Sequence, residues 1–516
     1  MYNSHYQNYL LSFALVCFCT AVTPSNILVV SPVPSDSHFK ISEAITVGLA
    51  NVGHTVTIVS AYDYKPQNMS KVQSIQVTGA VQWAEEFKAK DLGAFEKSPV
   101  DTMVSMLFSG GWDLCNLTLT DPAVRALFNH TYDLVIVDIF GTESLIVLGQ
   151  IFNAPVVGFS AYSTAKWTNL LPVSYKLNFS NRVASLFHRI HYSIFHMYES
   201  ITLAYLHHPL QRSVYINAFP NVKLSYDDAR NNVAITFVSS HSSLTEPTTK
   251  VPNVIEIGGI HVEWNGFKRP ERPLSQDIKQ FIDTATDGVV YLSFGSISKG
   301  KELPTNKRDT FINTFAKHKQ KFIWKFSEPT VKMPENVLAK SWFPQADILG
   351  HMNVKAFISD GDLLDCIEAV YHGVPILGIP LFIDQIRNVK RASETGWAVT
   401  LDYSNITAIS VEWALNEILQ DKYLEKAQSV SKHYRDQPMT PMNTMVYWSE
   451  YVIRHRGAPH LRAPRIDLNY IQYHNVDVFV AIFCFIMLYV YAVKWTMHKV
   501  FWQKSRLRVK VERKEQ

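Results

Sequence analysis

Cysteine is scarce in this chain, with five among 516 residues. Cys17 and Cys19 fall in an N-terminal apolar run and Cys484 in a C-terminal one, so only Cys115 and Cys366 remain for the body. They lie in different halves of the chain, and no disulfide framework is expected. No Cys/His cluster has zinc spacing, so no metal site is expected either. Charge of one sign is also scarce. The net charge is +4, and the excess sits in the tail that begins at Lys494. The body is near neutral, which gives no electrostatic case for nucleic acid. A composition of 47% hydrophobic and 18% charged residues excludes a disordered chain. The length exceeds what one core holds, and at roughly 100–200 residues per domain it implies two to four units.

Long apolar runs are absent from the body and occur only near the ends. Leu10 to Val22 is too short to cross a bilayer and reads as a signal peptide over 1–21, with small residues at Cys19, Thr20 and Ala21 for cleavage. Val478 to Val493 carries no charge, and with Trp495 and Met497 it approaches the ~20 residues a span needs. Lys494, Lys499, Lys504, Arg506, Arg508, Lys510, Arg513 and Lys514 follow it. The positive-inside rule makes that end cytosolic. The expectation is a single-pass type I protein with a transmembrane helix at 476–497, a basic tail at 498–516 and a lumenal body. Basic residues three and four from the end resemble an endoplasmic reticulum retrieval signal. Sequons at Asn68, Asn116, Asn129, Asn178 and Asn405 are compatible with a lumenal body.

Between these ends, strand and helix patterns alternate. Ile27 to Val30, Thr55 to Val59, Leu134 to Val137 and Val156 to Phe159 read as strands, with helices over Ile41 to Val52 and Glu143 to Phe152. The second half repeats the pattern, with strands at Val289 to Leu292, Phe322 to Trp324, Val354 to Ile358 and Pro375 to Ile379. Helices are expected over Leu363 to Tyr371 and Gln385 to Thr395. Strands separated by helices pair in parallel, so two doubly wound α/β domains are expected, at 22–261 and 275–441. A Pro- and charge-rich linker at 262–274 joins them, and membrane-proximal helices follow at 442–475. The stretch Phe187 to Tyr215, crowded with aromatics and His, reads as helical. Ligands of such sheets bind beyond the carboxyl ends of the strands, in the cleft between domains. His38 is expected in the loop after the first strand, and Asp138 ends another strand of the same sheet. An imidazole oriented by a carboxylate is the usual general-base pair.

Trp342-Phe343-Pro344-Gln345, Phe357-Ile358-Ser359-Asp360-Gly361, Glu368, Tyr371-His372-Gly373-Val374-Pro375 and Asp384-Gln385 follow one another in the second half. This series resembles the donor-binding signature of the animal UDP-glycosyltransferases, closer to insect than to mammalian members. The resemblance extends to Pro252 to Val262 and Phe294 to Ser296 and covers essentially the whole chain. It implies a GT-B fold and inverting transfer from a UDP-sugar to a small lipophilic acceptor, with no cofactor beyond that co-substrate. By resemblance, His38 is the base and Asp138 its orienting carboxylate. Trp342 stacks on uracil with Gln345 beside it, Glu368 binds the ribose, and Asp384 and Gln385 read sugar hydroxyls. Ser293, Gly295 and Ser296 lie near the diphosphate. Homo-oligomerisation is left open.

The chain departs from that pattern at the phosphate site. Where the family has Phe-Ile-Thr-His-Gly-Gly, this sequence has Phe357-Ile358-Ser359-Asp360-Gly361-Asp362, and Asp365 replaces a small polar residue. Thr248 stands where an Arg is common. One unit-charge pair at 4 Å amounts to ~4 kcal/mol at an effective dielectric of 20. Three Asp residues at a phosphate site therefore raise the alternative of a membrane-anchored binding protein with impaired donor use. Asp362 or Asp365 would then cap the following helix and fill the anion site. Alternatively Lys325 compensates in a subfamily that has re-set its donor contacts, or Asp360 and Asp362 hold a divalent cation. The lost Arg and added Asp residues favour UDP-glucose over the more anionic UDP-glucuronate.

Overall fold

The computed structural model describes residues 23–65, 69–91, 110–162, 194, 197–198, 201–221, 223–245, 251–264, 274–294, 303–326, 331–381, 383–462, 470–473 and 475–512. Two parallel sheets organise it. The first has strands β1 (Asn26–Ser31), β2 (Thr55–Ser60), β3 (Val72–Gln76), β4 (Leu134–Asp138), β5 (Val156–Ser160), β6 (Ile235–Val238) and β7 (Val254–Glu256), in the order β3-β2-β1-β4-β5-β6-β7. The second has β8 (Val289–Ser293), β9 (Lys321–Lys325), β10 (Val337–Lys340), β11 (Val354–Ser359), β12 (Ile376–Gly378) and β13 (Ala398–Thr400), in the order β10-β9-β8-β11-β12-β13.

Both sheets are covered on two faces, so their central strands are apolar runs rather than alternating ones. The two faces nevertheless sort by a period of two. Leu28, Val30, Val135 and Val137 enter one core, while Ile27, Val29, Leu134 and Ile136 enter the other. In the second sheet Val290, Leu292, Ala356 and Ile358 face one way, and Val289, Tyr291 and Phe357 the other. Each fully buried aliphatic side chain contributes about 1.5–3 kcal/mol against exposure.

Topology fixes where polar groups gather. In the first sheet the chain winds outward from β1 to β3 and then returns to β4 on the far side of β1. In the second it winds from β8 to β10 and returns to β11 beside β8. Each reversal opens a crevice at the carboxyl ends of two adjacent strands, the place where such sheets hold ligands.

Helix α1 (Asp36–Asn51) follows β1 and buries Ile41, Ala44, Ile45 and Leu49 against the first sheet. Helix α2 (Leu363–His372) follows β11, and α3 (Ile383–Thr395) follows β12. Helix α4 (Pro441–His455) returns to the first sheet: Met442, Met445, Val446 and Val452 share a core with α1. The approach is close at Gly48, where a Cβ would lie 2.2 Å from Met442 Sδ.

The helix that begins at Val476 runs to Glu512, and its apolar stretch Val476–Gln503 is long and apolar enough to cross a membrane. It belongs to a second compact unit, Arg462–Gln516. The linker call at 262–274 falls mostly on residues outside those described. Cys115, Cys366 and Cys484 are free thiols. Asn116, Asn129 and Asn405 are exposed, while Asn68 and Asn178 lie outside the described residues.

Candidate active site

The first crevice holds an oriented imidazole. His38 was expected in a loop, but the helix begins earlier than its apolar periodicity indicates and takes in His38 in its first turn. There Nδ1 of His38 lies 2.6 Å from Oδ2 of Asp138, and both side chains are buried. Ser31 Oγ donates to the same Oδ2 at 3.0 Å, and the Phe140 amide donates to Oδ1 at 3.1 Å. Three donors thus fix the carboxylate, and the carboxylate fixes the ring. With Nδ1–H assigned by this partner, Nε2 is the basic nitrogen. Phe140 and Tyr162 pack around the ring with centroids at 5.3 and 5.6 Å.

The second crevice holds carboxyl groups. Gly361 makes the turn from β11 into α2 with φ of +82°, and a Cβ there would lie 2.2 Å from Val389 Cγ2. Glycine is required on both counts. Buried Asp360 accepts from Gln385 Nε2 at 2.9 Å and from the Asp362 amide at 3.2 Å. Asp365 accepts from Gln345 Nε2 and Ser359 Oγ, each at 2.7 Å. Burial, reinforced by Asp365 and Asp362, pushes the Asp360 carboxyl well above the usual range. Burial, with Asp362 and Glu368, raises Asp365 to about 7. Asp362 and Asp384 are raised chiefly by burial as well. In each of these groups the shift runs toward the protonated form, because unpaired charge in a dry site is costly. They are therefore not simply added negative charges, as substitution of aligned residues implies.

Neither expected cap is made through a side chain. Asp362 stands at the N-cap position of α2, yet its carboxylate caps no helix N–H and accepts from Ser37 Oγ at 2.9 Å. Asp365 is engaged by Gln345 and Ser359 instead.

Between the two crevices lies a cavity of about 510 Å³. Glu368 on α2 is its most constrained acid. Lys40 Nζ donates to Oε1 at 2.7 Å, and Gln345 Nε2 donates to Oε2 at 2.9 Å. Burial alone would raise this carboxyl, but Lys40, with His261, overcomes burial and holds it well below the usual carboxylate range. Burial would likewise lower Lys40, but Glu368, then Asp365, outweigh it and keep the ammonium above its ordinary value. His261 Nε2 lies 3.3 Å from Glu368 Oε1, off the hydrogen-bonding axis, and burial lowers this imidazole. The first turn of α1 explains the reach. Ser37 and Lys40, three residues apart on one helix face, meet the second domain, while His38 turns to Asp138.

Trp342 lines the cavity with 54% of its surface exposed, so one indole face is open for stacking. Gln345 is held by Tyr291 Oη, which donates to its Oε1 at 3.2 Å. Gln385 also accepts the Leu381 amide at 2.9 Å. Lys325 lines the cavity too, with Nζ 3.7 Å from Asp36 Oδ2. Ser293 ends β8, buried. Gly295, Ser296 and Thr248 lie outside the described residues. His38 and Asp138 are not in the cavity wall, although Ser37 and Phe39 are.

Sequence reasoning passed over Ser37, Lys40, Tyr291 and His261. Ser37 and Lys40 had one available signal, their place one residue before and two after the expected base. His261 had another, its place in the stretch Pro252 to Val262 that carries the resemblance.

The profile of the family described as "UDP-glucoronosyl and UDP-glucosyl transferase" matches residues 64–515. A UDP-glucosyltransferase 2 of Dactylopius coccus is 33% identical over 95% of this chain and 97% of its own length. A UDP-glucuronosyltransferase of Pleuronectes platessa is 29% identical over 74% of this chain and 81% of its own. Among solved structures, Medicago truncatula UGT71G1 complexed with UDP-glucose superposes with a TM-score of 0.55 at 16% identity, covering 83% of this chain and 98% of its own. The glycosyltransferase SnogD from Streptomyces nogalater gives 0.57 at 14% identity over 84% of this chain and 100% of its own. These neighbours share the GT-B fold of two parallel sheets. The profile over residues 64–515 and the 33% identical relative show that the chain belongs to the UDP-glucuronosyl and UDP-glucosyl transferase family.

Proposed function

We propose that the chain is an active UDP-hexose-dependent transferase that glycosylates a hydroxyl of a small lipophilic acceptor with inversion. The observation that carries this is the buried 2.6 Å contact between His38 and Asp138. His38 Nε2 takes the acceptor's hydroxyl proton while the oxygen attacks the anomeric carbon. The bond from that carbon to the diphosphate breaks on the opposite face, and UDP leaves with the electron pair. Asp138 stabilises the imidazolium that results. Trp342 stacks on uracil, Glu368 accepts from the ribose hydroxyls, and Asp384 and Gln385 meet the sugar. The acid-rich cleft makes glucose the preferred sugar over glucuronate. His38→Ala should abolish transfer and leave UDP binding intact by calorimetry; an active His38→Ala protein would sink this mechanism.

A second reading has one specific observation in its favour. Glu368, Asp360 and Asp362 are each already paired within the protein, to Lys40, Gln385 and Ser37. A donor must displace or share those partners, so the alternative is a membrane-anchored binding protein with impaired donor use. Micromolar UDP affinity supports the enzyme, and no binding at millimolar UDP supports the alternative. The setting we propose is the endoplasmic reticulum membrane, with the helix from Val476 as a single type I span and the basic tail cytosolic. In sealed microsomes the body should resist protease while an antibody reaches the tail; release by carbonate would contradict a span.

A further inference from the structure

The cavity wall sets seven carboxyl groups against the ammoniums of Lys40 and Lys325 among the described residues. A nucleoside diphosphate is an anion, and entering this cleft requires cationic compensation. The sequence removes one donor to it by placing Asp360 at the family's His position. Lys325 faces Asp36, an exposed acid that no part of the donor reading involves. Lys40 differs. Its partner is Glu368, the buried anion that the reading above assigns to the ribose, and its own side chain remains about one-third exposed to the cavity.

Resting on that reading, we propose that Lys40 is the diphosphate-binding cation of this protein and that Glu368 holds it in reserve. In the empty cleft the ammonium neutralises Glu368 across the two domains. When ribose hydroxyls donate to Glu368, they supply hydrogen bonds to the carboxylate that Lys40 otherwise supplies. The ammonium then turns on its flexible stem to the diphosphate oxygens. His261 lies 3.3 Å from the same Glu368 oxygen, but burial lowers its imidazole, so Lys40 is the stronger partner of Glu368. The same residue therefore neutralises the buried acid before binding and the phosphate charge after it.

Calorimetry of the full-length protein in detergent with UDP and with uridine tests this, using wild type, Lys40→Gln and Lys40→Arg. Lys40→Gln should weaken UDP about tenfold, the size of one charge-assisted contact. It should leave uridine binding no weaker, because uridine carries no phosphate and Glu368 is freed for its ribose. Lys40→Arg should keep UDP affinity within about threefold of wild type, since the charge is retained. Tighter binding of both ligands to Lys40→Gln would make Lys40 only a plug and overturn the proposal. Equal weakening of both would make its role structural and overturn it as well. Unchanged UDP affinity in Lys40→Gln would overturn the proposal alone, whereas wild type that binds no UDP would overturn the donor reading and this proposal together.

Discussion

The two crevices are built by the same winding. In each sheet the chain runs outward through three strands and returns beside the first, and in each a helix follows the strand at the reversal. Their polar contents are opposite in kind. The crevice between β1 and β4 holds one carboxylate with a hydrogen-bonded imidazole, and both carboxylate oxygens and the ring's Nδ1 are held by neighbours of fixed geometry. The crevice beside β11 holds Asp360, Asp362, Asp365, Glu368 and Asp384, of which, among the described residues, only Glu368 has an ammonium in direct contact. The comparison teaches that topology fixes where a site lies and leaves its charge to the side chains. One site is ordered by a single pair, whereas in the other burial shifts several carboxyls toward their protonated forms.

The largest effect should come from breaking the first pair without emptying it. Asp138→Asn keeps the volume but favours the wrong tautomer of His38. Transfer should fall about 10²- to 10⁴-fold in kcat/KM, with UDP affinity unchanged by calorimetry. A loss confined to KM would show that Asp138 does not act through His38.

The turn that shapes the second crevice should be nearly as sensitive in stability. Gly361→Ala combines a left-handed φ with a Cβ placed on Val389. A loss of about 2–4 kcal/mol is expected in thermal or denaturant melts. Adding Val389→Ala should return the packing part and leave the backbone part.

The retained protons give the second crevice its own pH signature. Asp365 has a folded pKa of about 7 against an ordinary 3.8. The folded chain thus holds a proton that the unfolded chain has already lost between those values. This contribution to stability is complete below about pH 4 and is lost as pH rises through 7. Asp365→Asn should remove the loss and stabilise the protein by on the order of 2 kcal/mol at pH 8, with little change near pH 4. Glu368 behaves oppositely, since Lys40 and His261 hold its carboxyl low against burial. Its contribution is present above the ordinary 4.5 and is lost as pH falls below it. Equal stability of wild type and Asp365→Asn across this range would show that Asp365 titrates alike in the folded and the unfolded chain.

The smallest effect concerns the donor. A competition between UDP-glucose and UDP-glucuronate should favour glucose about tenfold, the discrimination one uncompensated carboxylate produces. Preferential glucuronate transfer would show that the crevice's acids do not repel an anionic sugar.

The strands, the helices after them and the two residues of the dyad were legible because they follow local rules. Runs such as Ile27 to Val30 and Leu134 to Val137 announce buried parallel strands, and Asp138 lies at the end of one of them. The start of α1 was less legible. His38 lies among Pro and Ser residues that read as loop, and only tertiary contacts extend the helix over it. Lys325 was one alternative for a compensating cation; the residue that meets a buried cleft acid at hydrogen-bonding distance is Lys40, which sequence reasoning passed over.

By itself the sequence determined the alternation of strand and helix, the apolar segment near the C-terminus and the places of His38 and Asp138 beside the carboxyl ends of the strands. Periodicity and composition are properties of neighbouring residues, so they can be read without knowing what packs on what. Only the tertiary structure decided that Lys40 meets Glu368, that Ser37 meets Asp362 and that α4 returns to the first sheet's core. It also decided which acids keep their protons. Pairs more than 300 positions apart leave no local periodic trace, and a carboxyl's protonation depends on burial and on neighbours that only folding supplies.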